Sequence, residues 1–306
     1  MKKWCMLLIL GFIAYFVVGL MAPFITQKKP SEEAKRNSRE LISDFFPEKE
    51  DNDPEVHERA MILETNESAW EERIRLFSQA EERIVLTTFD MRECESTIDL
   101  LSVLLKKANE GVDIKILVDG FSGLIRMENR PLFYAMSSHP NVEIRIYNKI
   151  NPLLPWKSQG RHHDKYIMID NKAYVLGGRN TFDYFIGDYP TDNRSHDREV
   201  LVVAEDPEKP GHSIRQLDSY FRRIWSQKDS AVFHNDPRLA QKDSVKEKIA
   251  LLEDRYESIR ESHPELFEPY DYKDVTYEAD KIALLSNPTT IYGKEPDVFH
   301  QVIELF

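Results

Sequence analysis

Two cysteines in 306 residues, Cys5 and Cys94, leave no disulfide framework to build on and no thiolate set to ligate a metal cluster. Positive charge is also short. Lys and Arg number 41 against 53 Asp and Glu, for a net charge of -12. That balance argues against a groove that captures nucleic acid by neutralising phosphates. No glycine-rich nucleotide loop and no zinc-ligand spacing occurs either. Apolar residues are not scarce. At 41% of the chain they suffice for a sizeable core, in one large domain or two modest ones.

The N-terminus is apolar without interruption. After Lys2-Lys3, residues from Trp4 to Ile25 carry no charge. A helix of that length reaches roughly 33 Å at 1.5 Å per residue, enough to cross a hydrocarbon core. A cleaved secretory signal has a shorter apolar region and a small-residue cleavage site, and Gly19-Leu20-Met21-Ala22-Pro23 is a poor one. The expectation is an uncleaved single-pass anchor over 1–25. Lys2 and Lys3 oppose Lys28, Lys29, Lys35, Arg36 and Arg39 in setting its orientation, and the reading favours export of the bulk of the chain to the outer face.

Residues 26–58 are charged, with Pro30, Pro47 and Pro54, and read as a linker. Helix and strand patterns then alternate over 59–228. Ser68-Ala69-Trp70-Glu71 resembles a capping box ahead of Trp70, Ile74 and Phe77 at helical spacing. Strands are expected at Arg83–Phe89, Val112–Val118, Val142–Tyr147, His163–Ile169, Ala173–Leu176 and Val200–Ala204. Helices are expected at about 96–109, 131–138 and 214–224. The interleaving predicts an α/β sandwich around a central sheet. Residues 229–279 read as a charged connecting segment whose Val245, Ile249, Leu252, Tyr256 and Ile259 form an amphipathic helix. From 280 to 306 the pattern Ile282–Asn287, then Val298, Val302 and Phe306, repeats the outline of Met61–Asn66, then Trp70, Ile74 and Phe77. It reads as the opening of a second copy, cut off mid-helix.

The chemistry is concentrated between Arg161 and Asn180. Side chains alternate along a strand, so His163 and Lys165 are expected on one side. An imidazole and an ammonium are awkward neighbours unless an anion lies over both. Lys165 would then hold a phosphoryl oxygen as a point charge, with His163 placed as nucleophile or proton donor. Gly177-Gly178 lets backbone approach closely, and Asn180 can donate to the same anion. Donors fixed where charge develops stabilise a pentavalent phosphorus without a metal. Asp170-Asn171 also makes a good turn, which is a purely structural use for Asp170.

The joint spacing H-x-K-x4-D-x6-G-G-x-N over 163–180 resembles the signature of the phospholipase D superfamily, with no departure. In look it is similar to bacterial cardiolipin synthases and related membrane proteins. The resemblance implies a sandwich with a mixed central β-sheet flanked by helices, no cofactor and no metal. It makes His163 the nucleophile of a phosphohistidine intermediate, with Lys165 and Asn180 on the phosphate oxygens beside Gly178. Asp197 falls where relatives place the acid that orients that histidine, with Glu199 as the fallback, and Asp170 is a support at the strand end. The implied substrate is a membrane phospholipid such as phosphatidylglycerol, with a lipid alcohol or water as acceptor. Relatives join two such motifs, the second supplying the leaving-group acid, and no second H-x-K-x4-D occurs in this sequence. The expected partner is therefore a second motif-bearing half, from a missing C-terminal region or from a homodimer. Two other readings stay open: a dimeric nuclease of the same fold, and a non-catalytic lipid-binding membrane protein.

Overall fold

A computed structural model describes residues 2–26, 57–207, 209, 211–279, 282–286, 289–290 and 293–294. Most of the expected linker and the expected last helix near Val298–Phe306 lie outside these residues. The chain forms two compact units, one from 54–147 and 162–282, the other from 1–53, 148–161 and 283–306.

The larger unit is built on a nine-stranded sheet. In chain order it runs β1 (Glu58–Leu63), a first helix (Asn66–Ser78), β2 (Arg83–Thr88), a second (Glu95–Asn109), β3 (Asp113–Asp119), a third (Pro131–Ser137), β4 (Val142–Tyr147), β5 (Lys165–Ile169), β6 (Ala173–Gly177) and β7 (Glu199–Ala204). A fourth helix (Ser213–Trp225), β8 (Ser230–Val232), a fifth helix (Asp243–Ser262) and β9 (Tyr277–Ala279) complete it. The strand order is β8-β4-β3-β2-β5-β6-β7-β1-β9. β2, β3 and β4 are mutually parallel, joined by helical crossovers, and the remaining pairs are antiparallel. This is the mixed-sheet α/β sandwich that the motif's family resemblance implies.

Alternation along the strands sorts the two faces. Ile167 and Ile169 of β5 join one core with Ile74, Phe77, Leu101, Leu104, Phe133 and Leu252 from the first, second, third and fifth helices. Tyr166 and Met168, also buried, point the other way, and on that face Tyr174 of β6 bonds Ser213 of the fourth helix at 2.9 Å. Each buried Leu, Ile or Phe contributes about 1.5–3 kcal/mol by leaving water. The segment 229–279, read from sequence as a connector, contributes more than a link. β8 and β9 form the two sheet edges, and Val245, Leu252 and Ile259 are buried in the core.

Two local expectations shift. The first helix starts at Asn66, not after Ser68. Thr65 caps it, accepting the Ser68 N–H at 3.0 Å, while Ser68 Oγ accepts the Thr65 N–H at 3.1 Å. Ser68 thus closes a capping box from its third position rather than opening one. β5 begins at Lys165, so His163 precedes the strand. At the tail, 282–286 have no regular structure, unlike β1 at Glu58–Leu63 whose outline their sequence repeats, and Thr289–Thr290 pairs with Gly293–Lys294.

In the smaller unit α1 spans Lys2–Thr26, and its Lys3–Ala22 stretch has a mean hydropathy of 2.6, long and apolar enough to cross a membrane. The 148–161 loop packs on it through a short 3-10 turn at Pro155–Ser158.

Candidate active site

The parallel strands β2, β3 and β4 end at Thr88, Asp119 and Tyr147. By register, the start of β5, the end of β6 and the start of β7 lie in line: Lys165 faces Gly177, and Gly177 faces Glu199. The motif therefore gathers at the carboxyl end of the parallel strands, where α/β sheets open a crevice.

Lys165 is 4% exposed, yet its Nζ lies 3.0 Å from His163 Nδ1 and 2.6 Å from the His163 carbonyl oxygen. An ammonium can only donate, so His163 Nδ1 accepts. Strand alternation cannot bring the pair together, because His163 is outside β5; the lysine's reach does. The Phe89 ring lies 4.7 Å from the His163 imidazole and 5.5 Å from Lys165 Nζ, forming an apolar wall. His163 itself is exposed. A solvent-facing imidazole backed by a buried cation is a place for an anion.

Asn180 is oriented by its own oxygen. Its Oδ1 accepts the Asp90 N–H at 3.1 Å, which leaves the amide NH2 as the end able to donate. Asp90 is in turn held by Ser122 at 3.0 Å and by Arg92 at 2.6 Å. Gly178 is dictated by close approach, since a Cβ there would overlap the Asp197 carboxylate. The Asp197 carbonyl accepts from Arg179, and Asp197 Oδ1 accepts the Arg198 N–H at 2.7 Å. Burial pulls the Arg179 guanidinium below its ordinary range, with Glu199 opposing that pull.

Two of the named acids do other work. Glu199 is fully buried and takes a bidentate pair from Arg73, both contacts at 2.7 Å, with Arg179 3.7 Å away. Its carboxylate binds the first helix to β7, so it is a poor fallback for orienting His163. Asp170 sits at the opposite end of β5 from Lys165, about 17 Å of strand away at ~3.4 Å per residue. Its carboxylate accepts the backbone N–H groups of Glu81, Glu82 and Arg83 at 2.7, 2.9 and 2.7 Å. With Asn171 it adopts positive φ, 50° and 56°, in the turn from β5 to β6. Asp170 stands apart from the other site residues as a structural clamp.

Sequence reasoning missed two carboxylates. Asp119, wholly buried, accepts the His162 N–H at 2.9 Å through one oxygen and the Phe121 N–H at 2.8 Å through the other. It fixes the backbone just ahead of His163. Asp90 holds Asn180 through its backbone N–H, while its carboxylate accepts from Ser122 and Arg92. The available signal was position: each acid terminates an apolar strand run, in Val85–Asp90 and Ile114–Asp119, where a buried charge has no packing role.

Residues 74–225 match the family model described as cardiolipin synthase, phospholipase D-like domain. A cardiolipin synthase of Clostridium perfringens is 28% identical over 159 residues, covering 52% of this chain and 31% of that protein. Cardiolipin synthase C of Escherichia coli is 27% identical over 139 residues, 41% of this chain and 28% of that one. An uncharacterised Helicobacter pylori protein is 29% identical over 194 residues, 60% of this chain and 38% of that one. The chain thus matches about a third of the length of these relatives. Among solved structures, it is similar to NucT from Helicobacter pylori, at 17% identity and a TM-score of 0.43, over 57% of this chain and 99% of that one. It is also similar to phosphatidylserine synthase of Haemophilus influenzae, at 12% identity and a TM-score of 0.42, over 82% and 60%.

Proposed function

The chain belongs to the phospholipase D superfamily, and from that premise we propose that it is a membrane-anchored enzyme that transfers or hydrolyses the phosphatidyl group of a phospholipid. The observation that carries the reading is the buried Lys165 ammonium 3.0 Å from His163 Nδ1. The ammonium and the exposed imidazole stand close enough for one phosphodiester to meet both, its oxygen at Lys165 and its phosphorus at His163.

With Nδ1 accepting from Lys165, the neutral His163 ring carries its proton on Nε2. An arriving phosphodiester oxygen takes over the lysine's donation. The exposed ring can then hold its proton on Nδ1, with Asp197 as acceptor, leaving the Nε2 lone pair to attack phosphorus. Lys165 and the Asn180 amide hold the equatorial oxygens as charge builds on them. The P–O bond to the alcohol breaks, and an acid from a second motif-bearing half protonates the departing oxygen. Water or a lipid alcohol next attacks phosphorus, giving its proton to that now-deprotonated acid; the P–N bond breaks, and His163 is restored. Transfer between two phosphatidylglycerols yields cardiolipin, and transfer to water yields phosphatidic acid. In this reading residues 1–25 anchor the chain, 26–58 tether it, 59–228 hold the first catalytic half, 229–279 brace that half, and 280–306 open a second. The catalytic domain faces the outside of the membrane.

The test is incubation of the reconstituted protein with labelled phosphatidylglycerol, resolving cardiolipin and phosphatidic acid and trapping acid-labile label on the protein. His163→Asn should abolish both the label and the products. Turnover that persists unchanged in that variant, or no turnover in wild type, would sink the proposal. A salt-sensitive retardation of DNA would point to the nuclease reading instead.

A further inference from the structure

We propose that the loop Ile150–Lys157 is a second membrane contact, docked along α1 and immersed in the hydrocarbon below the headgroups. The inference rests on the reading of α1 as a membrane span, and it is independent of the chemistry at His163.

The loop is seated on α1 by several contacts. The Tyr15 hydroxyl donates to the Leu153 carbonyl at 2.6 Å, and the Tyr15 and Trp156 rings meet edge to face at 6.2 Å. Gln159 Nε2 donates to the Leu20 carbonyl at 2.8 Å. Pro155 presses on Gly19 so closely that any Cβ there would overlap its ring. The depth of these contacts follows from helix geometry. Within the apolar stretch Lys3–Ala22, Tyr15 lies about 4 Å and Leu20 about 11 Å past the midpoint at 1.5 Å per residue. Half of a hydrocarbon core is about 15 Å. If α1 spans the bilayer, whatever packs on Tyr15–Leu20 is below the headgroups.

The loop's own chemistry suits that depth. Lipid excludes irregular backbone because open N–H and C=O groups find no water there. Pro152 and Pro155 carry no N–H. The Leu153 and Leu154 N–H groups both bond to Asn151, each at 2.9 Å, and the Leu154 carbonyl accepts from Lys157 at 3.0 Å. Asn148 Nδ2 donates to the Lys157 and Gly160 carbonyls at 2.7 and 2.8 Å. The Leu153 side chain stands 67% exposed, an apolar group without protein cover. Tyr15 and Trp156 are of the interfacial aromatic type, and Lys149 and Lys157 at the loop ends have stems long enough to carry their charges to water.

The experiment places a nitroxide on Leu153→Cys in the full chain, in a Cys5→Ser/Cys94→Ser background, reconstituted into phosphatidylcholine–phosphatidylglycerol vesicles. Ile9→Cys on α1 serves as the deep reference and Tyr277→Cys, 80% exposed, as the aqueous one. The readout is collision with oxygen, which concentrates in hydrocarbon, relative to a water-soluble nickel chelate. The expected ratio at position 153 matches position 9. A ratio at 153 equal to that at 277, with 9 still deep, overturns the loop's immersion and leaves the anchor standing. Aqueous ratios at both 9 and 153 overturn the anchor reading and this inference with it.

Discussion

At the scale of single residues, the candidate site separates into groups proposed to meet an anion and groups that hold the frame around them. His163, Lys165 and Asn180 form the first group; in the second, Asp90 holds Asn180, Asp119 the backbone ahead of His163, and Arg179 the Asp197 carbonyl. Asp170 belongs to neither, although it completes the motif in sequence. Removing its carboxylate opens three backbone N–H groups at the start of β2. Asp170→Ala should therefore lower unfolding free energy by about 1–3 kcal/mol, read by urea titration, while the folded fraction keeps its kcat. Gly178→Ala should do the reverse. The added methyl displaces the Asp197 carboxylate, so turnover of labelled phosphatidylglycerol should fall by about 10-fold or more with little change in melting temperature. A variant that loses both in parallel would show that Gly178 serves the fold and not Asp197.

At the scale of elements, buried polar groups bind helices to one another as well as to the sheet. Asp99 on the second helix accepts from Trp70 of the first at 2.9 Å, from Tyr189, and from Arg255 of the fifth at 2.8 Å. Burial nevertheless pushes its carboxyl up to about 6, against the pull of Arg255. A raised carboxyl favours the protonated folded state. Its contribution to stability is present in full below the unfolded value near 3.8 and is lost as pH rises through about 6. Denaturant titrations of wild type should lose up to about 3 kcal/mol across that window relative to Asp99→Asn. Parallel curves for the two proteins would remove Asp99 as the cause. The amphipathic pattern of the fifth helix was visible as Val245, Leu252 and Ile259. Its partners were not, because periodicity reports that a face is apolar and not what covers it.

For the whole molecule, the proposed anchor α1 would set where the proposed chemistry takes place. Its side chains from Trp4 to Val18 are largely exposed in the isolated chain, as a lipid-facing surface would be. The chain should stay with membranes through alkaline carbonate extraction. Two lysines in the span, at Leu8 and Phe12, cost about 3 kcal/mol each near a bilayer centre and should release it to the supernatant. Wild-type protein in the supernatant would end the anchor reading.

The extent of α1, most strand and helix cores, and the grouping of His163, Lys165 and Asn180 as site candidates were legible in the chain alone. Each of these is encoded locally, in a run, a period or a fixed spacing. Tertiary structure decided what depends on contacts between distant segments. Only the strand order brings Gly177 between Lys165 and Glu199, and only the fold buries Glu199 against Arg73. Asp170 shows the difference most clearly. The spacing groups it with His163, but a strand carries its two ends apart, and its three bonds to the start of β2 use it to hold the fold.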